Sequence, residues 1–171
     1  MIWQHVRAVI LLPFTVLIVI PAIILYFTGL GGMRAASLWS VLMLVGAIFF
    51  LTIGLVLLVT TAALFAKIGR GTLAPWNPPQ HLVVAGPYRH VRNPMISGLL
   101  FILLAEALFF GSLPLWGLLA FAFILNSVYI PLVEERGLEK RFGDEYRRYK
   151  QHVPRWIPRP TPWHDAGRPS G

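Results

Sequence analysis

The sequence predicts an all-α integral membrane protein: four transmembrane helices, a long cytoplasmic loop between the second and third, and a C-terminal amphipathic helix. Three observations predict it. Of the 171 residues 56% are hydrophobic and only 13% are charged, which leaves too little polar surface to dissolve a compact globular domain. The apolar residues gather into four runs almost free of charge. The basic residues gather beside them, on one side.

The first run, residues 8–27, carries no charge, and a bilayer helix needs about 20 such residues. Arg7 precedes it as in a signal peptide, but the run reaches Phe27 without an A-x-A cleavage site and reads as a retained span. Pro13 and Pro21 predict kinks, which lipid tolerates where neighbours re-satisfy the freed carbonyls. A glycine-rich turn follows, residues 28–37. The second run, residues 38–66, is longer than a hydrocarbon layer of about 30 Å requires, so it must tilt or protrude. Its Gly46, Ala47 and Gly54 suit close helix packing.

Residues 67–94 change character. Gly69, Gly71, Pro75, Pro78, Pro79, Gly86 and Pro87 punctuate a polar, aromatic stretch that cannot remain helical, so it forms an extramembrane loop. Residues 95–110 are apolar except for Glu106, residues 111–114 form a turn, and residues 115–133 are apolar again, which predicts a tight helical hairpin. Glu106 lies about three turns into the third span. A carboxylate there needs a partner, and Asn126 in the fourth span is the expected one, as a bond between helices rather than a substrate contact.

The tail, residues 134–171, begins as an amphipathic helix with Leu138, Phe142, Tyr146, Tyr149 and Val153 on one face. Gly143 and Asp144 predict a break, with Asp144 capping the second part. Pro154, Pro158, Pro160 and Pro162 end the helix, and the final residues are expected to lack structure.

Charge sets the orientation. Of the 15 Lys and Arg residues, all but Arg34 fall on the side holding Arg7, the long loop and the tail, which places that side and both termini in the cytoplasm. The formal charge of +8 fits anionic lipid head groups better than nucleic acid, because the basic residues flank membrane spans. The absence of cysteine excludes disulfides, thiolate metal sites and a catalytic thiol. His5, His81, His152 and His164 lack metal-ligand spacing, so no metal is expected.

Two clusters could carry chemistry. Gly86-Pro87-Tyr88-Arg89-His90-Val91-Arg92-Asn93-Pro94 precedes the third span. Its arginines serve equally as membrane anchors, and Pro94 suits the first position of a helix. Glu134-Glu135 follows the fourth span, with Glu139, Tyr146, Arg147, Arg148, Tyr149 and Pro154-Arg155-Trp156-Ile157-Pro158 beyond. A solvated helix stitched by ion pairs explains these too. Paired carboxylates at a helix C-terminus oppose the macrodipole, however, and that favours a functional reason for them.

In order and spacing, Gly86-Pro87-Tyr88, Arg92-Asn93-Pro94, Gly98, Glu134-Glu135, Phe142-Gly143, Tyr146, Tyr149 and Pro154 resemble the membrane methyltransferases that include isoprenylcysteine carboxyl methyltransferases and phospholipid N-methyltransferases. Asn93 stands where the family usually has His, and Ile96 or Ser97 where Tyr is common. The resemblance implies S-adenosylmethionine as cofactor and a lipid-like acceptor entering from the bilayer. It implies that Glu134 or Glu135 holds the ribose or amino group, that Tyr88, His90, Arg92 and the turn from Asn93 and Pro94 to Gly98 line the rest, that Arg147 and Arg148 are further candidates for the carboxylate end, and that Tyr149 belongs to the cofactor-binding set. His90, Arg92 and Glu135 are the candidate catalytic groups. A carboxylate acceptor of the isoprenylcysteine type is the first expectation and a phospholipid amine the second. An NADPH-dependent lipid reductase would bind nicotinamide cofactor instead, and a non-enzymatic membrane scaffold would bind neither.

Overall fold

The computed structural model describes residues 13–29, 37–69 and 80–164, which contain helices and no strand. Helix α1, Thr15–Thr28, opens with a wide π turn, Thr15–Val19, in which the Ile20 N–H reaches back to the Thr15 carbonyl. Pro21 follows directly and lacks the N–H that would bond Leu17, so the sequence-predicted kink takes the form of a π turn. Residues 8–12 of the expected first span lie outside the described residues.

Helix α2, Leu38–Leu64, is capped by the Ser37 side chain and ends in a second π turn, Phe65–Gly69. The helical path thus runs into the stretch read from sequence as loop. Helix α3, Pro94–Phe110, ends at Gly111, whose φ of 58° is a conformation that glycine adopts without strain. Helix α4, Leu113–Tyr129, starts immediately afterwards, completing the expected hairpin. It continues without interruption through a third π turn, Ile130–Glu134, into α5, Glu135–His152. Gly143 (φ 52°, ψ −126°) breaks α5 where expected, and Asp144 meets Arg147 at 2.9 Å in the following turn.

α2 and α3, and α3 and α4, are antiparallel neighbours. α2 crosses α3 where a Cβ on Gly54 would lie 2.8 Å from the Gly98 carbonyl oxygen, and where Phe50 stacks on Phe101 at 5.6 Å. Only glycine allows that approach. In the hairpin, Leu100 and Leu103 meet Ala122, and Ala107 meets Leu115. α1 lies along both levels, Val16 and Leu17 beside the first group and Leu25 beside the second.

This register corrects the proposed pairing of Glu106 with Asn126. Glu106 is level with the start of α4 and Asn126 with the start of α3, and Asn126 donates instead to the Ala122 carbonyl at 2.8 Å. The Glu106 Oε2 atom is buried with no hydrogen-bond partner among the described residues.

Two helical stretches are long and apolar enough to cross a membrane, Leu38–Ile68 and Leu113–His152; Thr15–Thr28 and Pro94–Phe110 are shorter. Only 11% of the most apolar 18-residue window of each long stretch is buried, so neither is the core helix of a soluble fold. Their large side chains, among them Val45, Phe49, Val56, Phe121 and Ile124, face outward, an arrangement stable in hydrocarbon and costly in water.

Candidate active site

The site is built where α3 begins and α4 passes into α5. Ahead of α3, Gly86–Arg89 form a 3-10 turn, in which Gly86 takes φ 53° and Tyr88 points inward against Phe65 at 5.7 Å. Pro94 occupies the start of α3, where its missing N–H costs nothing. Across from it, the π turn Ile130–Glu134 contains Pro131, and the Glu135 N–H bonds back to the Ile130 carbonyl. The extra residue of a π turn rotates the following helix by about 100°. Consecutive residues of a helix point about 100° apart, and here Glu134 is exposed while Glu135 is 2% exposed.

Glu135 is the centre of an ion cluster. Its Oε1 lies 3.0 Å from Arg92 Nη1 and accepts from Arg155 Nε at 2.9 Å, while Oε2 lies 3.3 Å from Lys150 Nζ. Lys150 also donates to Glu139 at 3.2 Å. Burial alone would raise the Glu135 carboxyl, but the Arg155 hydrogen bond, the charges of Arg92 and Arg155 and the Lys150 bond together hold it below the usual carboxylate range. It is an anion at neutral pH.

Arg92 is buried with unused capacity. Its Nη1 is close to Glu135 but not aligned for a hydrogen bond, and its Nε and the Asn93 Nδ2 are also buried with no acceptor among the described residues. Such groups are rare in a finished core and point to an acceptor supplied from outside. Glu134 presents the complementary group. Its helix position is open, yet surrounding protein strips water from the carboxyl and, with the charge of Glu135, raises its pKa. The phenols of Tyr88 and Tyr146 both feel the Glu134 charge, and both, mainly through burial, titrate well above their ordinary range and remain proton donors.

The remaining residues are structural in their contacts. Tyr149 is buried, and its hydroxyl donates to the Tyr88 carbonyl at 2.8 Å, tying α5 to the loop. His90 Nδ1 donates to the Arg159 carbonyl at 2.8 Å, so the neutral ring keeps its lone pair on Nε2. Gly98 lies in the crossing with α2, where a Cβ would meet the Gly54 carbonyl oxygen and Leu57 Cβ, each at 3.0 Å. Arg147 is exposed and paired with Asp144.

Sequence reasoning placed Arg92 and Glu135 among the site residues but not their partners Lys150 and Arg155. It expected loop and tail to share one site, but read Pro154 and the later prolines only as the end of the helix and the final residues as lacking structure. Instead the chain turns back: Arg92 N bonds the Pro154 carbonyl at 2.9 Å, Arg159 N the His90 carbonyl at 3.0 Å, and Trp163 N the Arg89 carbonyl at 3.0 Å. Trp163 packs on Tyr149 and His152, so structure extends past Pro162. Residues 165–171 lie outside the described residues.

Comparison with known proteins fits this geometry. The family model described as phospholipid methyltransferase matches residues 41–145, which span α2, the loop, the hairpin and both glutamates. An uncharacterized protein of Haemophilus influenzae (strain Rd) is 48% identical over 64 residues, 37% of this chain and 100% of that protein. No solved structure matches the chain significantly. The chain belongs to the phospholipid methyltransferase family.

Proposed function

We propose that this protein transfers methyl groups from S-adenosylmethionine to a lipid-like acceptor that enters its site sideways from the bilayer. The observation that carries the reading is the buried Arg92 guanidinium, which is paired to Glu135 yet keeps unused donors beside the unused Asn93 amide. These donors suit the carboxylate end of the cofactor, and the open Glu134 carboxylate suits its ammonium or ribose hydroxyls. When bound, the cofactor supplies an electrophilic methyl group on a sulfonium. The chain's residues contribute position and charge, which are worth about 7–11 kcal/mol in favourable cases.

Four spans support access from lipid. The Phe65 contact with Tyr88 puts the end of α2 beside the loop, the Arg92–Glu135 pair brings the hairpin back to the same face, and α1 runs the length of both. On this reading each apolar helix starts or ends on the site's side of the bilayer, and the basic loop and tail favour the cytoplasm for that side.

Charge ranks the acceptors. Arg92, Lys150 and Arg155 converge on Glu135, with Glu139 offsetting Lys150, and cations at the site steer a lipidic carboxylate, which needs no base. A phospholipid amine is the second reading, favoured by the raised pKa of Glu134, which equips that group to take up the ammonium proton. His90, on the loop that carries Arg92, offers Nε2 as a second base.

The test is transfer of radiolabelled methyl from S-adenosylmethionine into prenylcysteine analogues and into amine phospholipids in proteoliposomes. Label in the carboxylate acceptor, lost in Arg92→Lys, is the expected result. Label in the amine lipid alone, lost in Glu134→Gln, would select the second reading. No label in either, with NADPH bound instead, would overturn both.

A further inference from the structure

We propose that residues 154–159 form a wedge seated in the leaflet beside the Arg92–Glu135 cluster, with Trp156 packed on the helical hairpin as its anchor and Ile157 in contact with lipid chains. The proposal rests on the membrane reading of α2 and α4 and adds a fifth apolar element, one without helical structure. The segment is pinned at both ends to one loop. The Pro154 carbonyl accepts from Arg92 N at 2.9 Å, and Arg159 N donates to the His90 carbonyl at 3.0 Å. What lies between has a fixed place.

That place is beside α4. The Trp156 ring lies 5.4 Å from the Phe123 ring, and Phe123 is about 16 Å along the helix axis from Glu134, at about 1.5 Å per residue. In a hydrocarbon layer of about 30 Å, this depth is inside the apolar zone. The α4 surface around it is apolar and exposed, Phe121 and Ile124 each at 62%. Ile157, next to Trp156 in the chain, is 79% exposed.

The chemistry of the segment fits hydrocarbon. Both flanking cations turn away from the tip, Arg155 to Glu135 and Arg159 to the His152 carbonyl and the Thr161 hydroxyl. Pro154 and Pro158 remove two backbone donors, and the segment's remaining N–H groups sit at head-group level while its apolar side chains reach into the leaflet. The tip thus offers no charge and only apolar side chains, so the occupant is lipid acyl chain rather than a protein partner. Because the same two hydrogen bonds hold His90 and Arg92, seating the wedge also braces the site.

The chain has no cysteine, so single labels report directly. Ile157→Cys, Val56→Cys on α2 and Arg147→Cys on α5 are labelled with an environment-sensitive fluorophore in phosphatidylcholine and phosphatidylglycerol vesicles. They are then quenched by acyl-chain nitroxide lipids or by aqueous iodide. The Ile157 label should follow Val56, quenched by the nitroxide and several-fold less by iodide than Arg147. Iodide quenching equal to that of Arg147, with Val56 protected, would overturn the wedge and leave the membrane reading standing. Iodide access at Val56 as well would overturn both. Should Ile157→Cys fail to run as a monodisperse species, Pro158→Cys reads the same tip.

Discussion

Neutralising Glu135 removes the one anion on which three cations converge. The Glu135 side chain is 3% exposed and that of Arg92 10%, so Glu135→Gln keeps the shape but leaves a guanidinium nearly buried against a neutral amide. Breaking one side of a buried pair costs about 3–5 kcal/mol. Arg155 is 28% and Lys150 37% exposed, and Lys150 keeps Glu139, so water and that second carboxylate screen part of the loss. The lower end, about 3 kcal/mol, is expected. Thermal unfolding in detergent, followed by tryptophan fluorescence, measures it. The pH dependence has a definite sign. A carboxyl held below its ordinary value of 4.5 contributes stability that is fully present above that pH and is lost as pH falls through the lower native value. The gap between wild type and Glu135→Gln should therefore be constant near neutrality and close in acid. The double variant Arg92→Met, Glu135→Met should be more stable than Glu135→Met alone, since a buried pair replaced by apolar groups is often neutral. Wild-type stability in Glu135→Gln at neutral pH would refute the buried cluster.

Other substitutions separate packing from chemistry. Gly54→Ala would place a methyl 2.6 Å from Ile102 Cγ1 and should cost about 1–3 kcal/mol in the same unfolding assay, whereas Gly117→Ala, with nothing within 4 Å, should be neutral or stabilising by up to about 1 kcal/mol. Tyr149→Phe strands the buried Tyr88 carbonyl and should cost about 1–3 kcal/mol, read as a lower unfolding temperature. Arg147→Ala removes an exposed pair worth less than about 1 kcal/mol, and cofactor affinity measured by calorimetry should be unchanged.

Elements governed by local chemistry were legible in the sequence. The start of α2, the hairpin turn at Gly111 and the break at Gly143 follow from uncharged runs and from glycine's conformational freedom. Arg92 and Glu135 could be read as site candidates because charge beside a membrane span is conspicuous. The Glu106–Asn126 expectation compared depths within each run without folding the hairpin, and the antiparallel register separates the two residues. Lys150 and Arg155 were obscured by their setting, an amphipathic helix and a proline-rich tail whose bland roles are sufficient. The return of residues 154–163 onto the 89–92 loop rests on isolated backbone hydrogen bonds between distant segments, and no periodicity announces such contacts. Nor does a proline distinguish a chain that ends from one that turns back.

The most direct test of the central claim is calorimetric binding of S-adenosylmethionine and its demethylated product to the detergent-purified protein, alongside Arg92→Lys and Glu134→Gln. Micromolar binding of both ligands to the wild type, weakened in each variant while unfolding temperatures stay near wild type, is the predicted result. Absence of binding to well-folded protein, repeated with lipid present, would contradict it.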